Sequence, residues 1–394
     1  MFKFDLLRFS GFNDEWSINK LDEISSLTSS KRIYSSDYVE TGIPFYRGAE
    51  ITQLKNNEEI KEKLFISTEK YNELKNKFGA PKKDDILVTG VGTLGNVYKI
   101  RDNAEFYFKD GNLIWIKDIT INPDFLELYL ETFKNEMLKL AIGSTQKALT
   151  IVSLEKLKVK YPNIQEQRKI ANFFEVLDNK IRLLSEKYNY YIDFKKYLMQ
   201  QIFAQKLRFA NFTEEWKTVK IKDIFDERSE KGFSDLELLS VTLNDGVIKR
   251  SEIESKDNSN ENKSNYKHVL PDDIVYNSMR MWQGASGVSS YEGIVSPAYT
   301  ILIPKNAYSK FFGYYFKTNE MIHQFKKYSQ GLTSDTWNLK YPLISEIKIK
   351  IPSIDEQKEI TNVFETIDLK TKILQNNLEE VMTFKKGLLQ QMFV

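Results

Sequence analysis

The chain has 394 residues, with 57 Lys and Arg against 55 Asp and Glu, two histidines and no cysteine, a length that suits two domains plus a connecting element. The missing cysteines exclude disulfide frameworks, thiol nucleophiles and thiolate zinc sites, and His268 and His323 stand too far apart in the sequence to suggest a histidine metal centre or a Ser-His-Asp triad. A net charge of +2 permits a nucleic-acid binder without indicating one, and the lack of an apolar leader or a run of about 18 apolar residues points to a cytoplasmic protein with no membrane segment.

Residues 7–24 (LRFSGFNDEWSINKLDEI) return at 207–224 (LRFANFTEEWKTVKIKDI), with 8 identities in 18 positions. After the first copy come short β-type runs at 86–89 (ILVT), 96–100 (NVYKI) and 112–116 (NLIWI), then an aromatic-rich helical stretch at 124–140. The loop 90–95 matches G-x-G-x-x-G, with Asp110 beyond it. A dinucleotide site needs a helix to start at those glycines and aim its N-terminus at the pyrophosphate. Strand-like Asn96-Val97-Tyr98-Lys99-Ile100 follows instead, so the loop is expected to be a glycine-rich β-turn. Gly95 is followed by Asn96-Val97 rather than Lys-Ser/Thr, which rules out a Walker A loop. Asn122-Pro123-Asp124-Phe125 lacks the second proline of the tetrapeptide that amino-methyltransferases use. No catalytic group, cofactor or metal is expected.

After Pro162 the pattern turns helical, with acidic Glu166 in the first turn. Ile170, Phe174, Leu177, Ile181, Leu184, Tyr188, Tyr191, Leu198 and Ile202 recur at alternating steps of four and three, which is a heptad seam. The stretch 161–203 returns at 351–393 with 18 identities in 43 positions. Its seam is Ile360, Phe364, Ile367, Thr371, Leu374, Leu378, Val381, Leu388 and Met392, and a lysine fills the same slot in both copies (Lys195, Lys385). Seams this long need an apolar partner, so the two helices are expected to pack on each other, antiparallel. About 40 residues of helix span roughly 60 Å, more than one small domain needs. Read cyclically the chain is helix, domain, helix, domain, so its two ends are expected to be neighbours.

The second interior has β-type runs at 273–276 and 299–303, a helical stretch at 310–328 and a polar loop at 252–265. Donors, amides and glycines collect in the expected loops of both halves. In the first these are Tyr46 and Arg47; Thr89, Gly90, Gly92, Thr93 and Asn96; Lys109 and Asn112; and Ser144, Thr145, Gln146 and Lys147. In the second they are Asn277, Ser278, Arg280, Trp282 and Gln283, with Thr333, Ser334 and Trp337. Arg, Asn and Gln read guanine and adenine edges bidentately, Lys, Ser and Thr mostly hold phosphates, and glycine lets backbone approach a partner closely.

The doubled LRF-x-x-F-x-x-E-W opening, the doubled Pro-x-Ile-x-Glu-Gln helix start, Asp84-Asp85-Ile86-Leu87-Val88-Thr89, Gly143-Ser144-Thr145-Gln146-Lys147 and Asp272-Asp273-Ile274-Val275-Tyr276-Asn277-Ser278-Met279-Arg280 carry a likeness over essentially the whole chain. It resembles the specificity subunit of type I restriction-modification systems. That resemblance implies a mixed α/β (α+β) fold with two target-recognition domains (1–162 and 207–352) and two long antiparallel coiled-coil spacer helices (163–206 and 353–394), related by an internal pseudo-twofold repeat. It implies a non-catalytic subunit on double-stranded DNA, with each domain reading half of a bipartite site. The partners would be two methyltransferase subunits docked on the helices and domains, with translocase-nuclease subunits joining through the complex. A related bipartite system with a fused methylase-nuclease partner, a protein-binding coiled-coil scaffold, and a nucleotide-dependent enzyme using the 90–95 loop are the alternatives. Asn277-Ser278-Met279-Arg280 stands where the first half has Thr89-Gly90-Val91-Gly92, so the two half-sites are expected to differ.

Overall fold

A computed structural model of the protein describes residues 7–143, 147–243, 245–254, 259–333 and 336–393. The chain forms two units, and each is assembled from both ends of the repeat. One ends at Leu184 and takes in the chain from Asn377 onward; the other is Ser185–Asn376.

In the first unit a four-stranded antiparallel sheet has the order Ser26–Thr28, Leu113–Lys117, Ile86–Thr89, Val97–Lys99. The strand Ile86–Thr89 is buried throughout, and apolar up to Thr89, because both of its faces are covered. Ile86 and Val88 face a core that holds Phe125, Leu126, Ile170 and Phe174, whereas Leu87 points the other way, toward Ile51, Phe108 and Trp115. Strand alternation thus divides one short run between two cores. The second unit repeats the sheet with Phe225–Glu227, Tyr299–Pro304, Ile274–Asn277 and Ser286–Val288. Ile274 and Tyr276 pack with Phe311, Phe312 and Phe364, and Val275 with Val241, Val269 and Ile301.

The layer over the outer face of each sheet is where the units part. In the first it is a sheet of Tyr38–Val39, Leu64–Ile66, Ile43–Tyr46 and Tyr107–Phe108, with the helices Gly48–Lys55 and Thr68–Phe78. In the second it is two strand pairs, Leu239–Thr242 with Gly246–Lys249 and Lys267–Val269 with Gly293–Val295. Among its described residues, the polar 252–265 stretch holds no strand or α-helix, only the end of the 3-10 turn Arg250–Glu252 and a turn at 264–265.

The repeated residues have a common physical task. Arg8 donates through Nε and Nη2 to the buried Glu166 carboxylate at 2.9 and 2.6 Å, and Arg208 does the same to Glu356 at 2.7 and 2.8 Å. Gln167 bridges the Pro162 carbonyl (2.7 Å) and the Asn122 N–H (2.8 Å). Gln357 bridges the Pro352 carbonyl (3.0 Å) and the Tyr308 N–H (2.9 Å). The Glu-Gln pair of each helix start is therefore the clasp that joins the helix to its domain, with buried polar groups satisfied on both sides.

The two long helices are Ile164–Phe203 and Ile354–Phe393, 40 residues each. Every seam position named above is buried or half-buried. In the first unit Phe174 and Leu177 share a core with Leu388, Met392 and Phe393, and Lys385 Nζ lies 2.5 Å from Asp178. In the second, Leu198, Ile202 and Phe203 share one with Ile360 and Phe364, and Lys195 Nζ lies 2.5 Å from Asp368. Early residues of one helix meet late residues of the other in both places, so the pairing is antiparallel. The lone lysine of each seam takes an acid from the opposite helix, the kind of polar pair that fixes register.

The chain ends meet as the cyclic reading expects. The Leu7 N–H donates to the Gln391 carbonyl at 3.1 Å, and the same bond inside the continuous chain runs from Leu207 to Gln201 at 3.2 Å.

Candidate nucleic-acid interface

Each interior presents loops at the corresponding end of its own four-stranded sheet. In the first unit the 90–95 loop joins two antiparallel strands, Ile86–Thr89 and Val97–Lys99, and Gly92 and Gly95 have φ of +81° and +70°. These left-handed conformations explain the glycines, and no helix starts there. Gly90 donates to the Asn112 carbonyl (2.8 Å) and accepts from the Leu149 N–H (2.9 Å). Ser278 has the equivalent bonds, to the Ala298 carbonyl (3.3 Å) and from the Leu339 N–H (2.8 Å). The match of Gly90 to Ser278 is thus built into the backbone. Isolated bridges, Ile142 with Ala148 and Gln330 with Asn338, close a second loop beside each.

The first set of loops encloses an open cleft of about 580 Å³, lined by Arg47, Gly48, Ala49, Thr52, Val91, Gly92, Thr93 and Asn112. Four sequence candidates, Arg47, Gly92, Thr93 and Asn112, therefore come together. Arg47 lines the cleft with its guanidinium already engaged. Its guanidinium bonds Glu50 at 2.6 Å and Glu62 at 3.1 Å, and its pKa is held above the ordinary arginine value, chiefly by the bond to Glu50. Because Glu50 is buried, releasing Arg47 to a base would strand a carboxylate. Arg47 braces the start of the helix Gly48–Lys55, where its own N–H also bonds Glu50 at 2.7 Å.

Two more first-unit candidates belong to the frame. Thr89 is fully buried, donating to the Thr93 carbonyl and accepting from the Asn96 N–H at 2.9 Å. Gly90 is buried too, and a Cβ on it would meet the Leu149 carbonyl oxygen at 2.9 Å. Both shape the loop from behind rather than facing a ligand. Asn96 is half-buried and bonds Thr52 and Lys134, and Tyr46, whose pKa burial pushes up, packs on Phe106 at 5.0 Å. Lys109 is half-buried, its N–H bonded to the Tyr46 carbonyl at 2.9 Å, and Lys147 is exposed. Ser144, Thr145, Gln146 and Ser334 lie outside the described residues.

In the second unit Ser278 is likewise a frame residue, buried against Thr300 at 2.8 Å. Asn277 caps the next turn by accepting the Met279 N–H at 3.0 Å. Arg280, Gln283 and Thr333 are exposed. Trp282 and Trp337, from the two separate loops, meet edge to face at 5.4 Å. Lys326 Nζ sits 5.6 Å above the Trp337 ring, adding a cation that sequence reasoning missed. Eleven residues separate it from Trp337, and no local pattern links the two. Thr52, on the helix Gly48–Lys55, escaped for the same reason.

This is a doubled α/β frame on paired helices, with unlike loops at like places. The model for the type I restriction modification DNA specificity domain matches residues 13–190 and 213–383, and the chain belongs to that family. A putative type I restriction enzyme specificity subunit of Haemophilus influenzae is 33% identical over 168 residues, 41% of each chain. The MjaVIII specificity subunit of Methanocaldococcus jannaschii is 24% identical over 266 residues, 60% of this chain and 61% of that one. The matches therefore span less than two thirds of either relative. Among solved structures, the type I S subunit from M. genitalium has a TM-score of 0.61 at 17% identity, covering 99% of this chain and 98% of that one. The S subunit from Thermoanaerobacter tengcongensis has 0.51 at 13%, covering 97% of both. At such identities the likeness establishes the fold. No helix among the described residues is long and apolar enough to cross a membrane.

Proposed function

We propose that the chain is the non-catalytic, DNA-reading component of a cytoplasmic type I restriction-modification complex. Residues 1–162 and 207–352 act as target-recognition domains, each reading one half of a bipartite, asymmetric duplex site. The helical segments 163–206 and 353–394 set the gap between the halves. The observation that carries the reading is the backbone equivalence of Gly90 and Ser278, which sets different residues, Gly92 and Thr93 against Arg280 and Gln283, on one frame. Two readers of the same build with unlike loops suit two different half-sites.

The helices also supply a docking surface. Val176, Leu183, Tyr190 and Tyr197 recur every seventh residue on the first helix, outside the seam, and each is more than half exposed. Tyr190 stacks on Phe194 at 6.0 Å. An apolar stripe of that period suits helices of the methyltransferase subunits, two of which we place on this chain, with translocase-nuclease subunits joining through them.

Footprinting of the chain together with its methyltransferase subunits tests the proposal, and protection without sequence preference would remove it. Within that complex, Arg280→Ala is expected to relax one half-site only, by about 1–3 kcal/mol if Arg280 bonds a base edge. Competition binding with single-base variants of both half-sites measures this. An equal loss for every sequence would make Arg280 a phosphate contact.

A further inference from the structure

The first cleft contains a chain of hydrogen bonds whose direction is set at one end. Lys134 Nζ lies 2.7 Å from Asn96 Oδ1. An ammonium only donates, so it fixes the Asn96 amide with its oxygen toward Lys134 and its NH₂ toward Thr52 Oγ1, 3.0 Å away. Thr52 gives its one proton to the Gly48 carbonyl at 2.8 Å. Its remaining neighbour is Thr93 Oγ1 at 3.5 Å. With its proton committed, Thr52 can only accept there, so in this long, exposed contact the donor is the Thr93 hydroxyl.

We infer that Thr93 is a specificity-determining residue whose hydroxyl presents only acceptor lone pairs to the cleft, and that Lys134, which does not line the cleft, positions it through Asn96 and Thr52. Resting on the DNA-reading proposal, this names what the first domain reads at one position. Phosphate oxygens, sugar oxygens and base carbonyls are acceptors, and an acceptor cannot bond them. The donors that duplex DNA offers in its grooves are the exocyclic amino groups, adenine N6 and cytosine N4 in the major groove and guanine N2 in the minor. Thr93 therefore selects an amino group and does not hold the backbone. Gly92 beside it leaves the approach open, since a Cβ there would meet nothing within 4 Å.

The test uses the assembled complex and duplexes carrying its own site, with the amino group deleted at one position at a time: purine for adenine, pyrimidin-2-one for cytosine, inosine for guanine. One position in one half-site should show a fall of about five- to tenfold in wild-type affinity, the size of a single hydrogen bond. Thr93→Val, nearly isosteric, should be indifferent to the deletion at that position and normal at all others. Lys134→Met should lose the same discrimination, and Lys134→Arg, also a pure donor, should keep it. Wild-type sensitivity retained by Thr93→Val or by Lys134→Met overturns the inference, as does a uniform loss across all duplexes. If the wild-type complex shows no sequence preference at all, the DNA-reading proposal falls first and this inference with it.

Discussion

Replacing Arg208 with methionine is expected to destabilise the protein by up to about 3–5 kcal/mol, the usual result of removing one member of a buried ion pair, since the acid is buried while the arginine is 25% exposed. Glu356 is 1% exposed and depends on Arg208 for two of its bonds. Among the described residues, what remains to its side chain is the Trp216 Nε1–H at 3.3 Å. Methionine keeps much of the packing volume and none of the charge, leaving a carboxylate in an apolar site. The loss is therefore an unpaired-charge penalty rather than a cavity. Urea unfolding followed by tryptophan fluorescence measures it, and a loss below about 1 kcal/mol would contradict the clasp. The double variant Arg208→Met with Glu356→Leu should recover most of the stability, because a buried pair exchanged for apolar residues is often neutral.

The first unit has the same clasp with one bond fewer. Trp16 Nε1 is buried and has no hydrogen-bond partner among the described residues, so Glu166 rests on Arg8 alone for its side-chain ion pair. Trp16 packs edge-on against Phe125 and Phe393 instead, both at 6.0 Å. The two clasps share the arginine and the acid and differ in how the tryptophan is used.

How much of this was legible depended on whether the signal was local or repeated. The strands at 86–89 and 274–277, the helix starts at Pro162 and Pro352 and the lysines in the seam could be read because periodicity and duplication mark them. The seam of alternating fours and threes described the helix face correctly, since a 40-residue helix shows its buried side many times over. The ion pairs of Arg47 could not be read for the opposite reason. Its partners Glu50 and Glu62 are ordinary acids in the sequence, and only the fold turns them both onto one guanidinium. Thr89 and Ser278 were singled out as loop hydroxyls, yet the fold turns their side chains inward. Position on a loop indicates access to a ligand only when the side chain's direction is known. The second layer of the first unit went unread because its strands are short and broken by Gly42 and Pro44, which punctuate like turns.

Lengthening both long helices by one heptad is expected to lengthen the tolerated spacer and leave both half-sites unchanged. The insertion belongs between Leu184 and Tyr188 in one helix and between Leu374 and Leu378 in the other. Asp178 with Lys385 then stays on one side of it and Lys195 with Asp368 on the other, so both ion pairs keep their partners. Seven residues preserve the seam phase, and at 1.5 Å each they add about 10 Å. At 3.4 Å per base pair that is about three pairs. An insertion in one helix alone must slide the pairing and break one of the two lysine contacts, so it should fail where the double insertion succeeds. Three base pairs also carry a half-site about 100° round a helix of 10–10.5 pairs per turn, whereas a heptad seam drifts by only about 20°. The single-heptad protein should therefore bind its longer site more weakly than wild type binds its own. Three heptads, about 32 Å against a DNA turn of about 34–36 Å, should restore much of that loss. Methylation profiling of cells carrying each variant reads half-sites and spacer together. New half-sites with an unchanged spacer would show that the helices do not measure the gap, and affinity falling steadily with each added heptad would show that length matters but rotational phase does not.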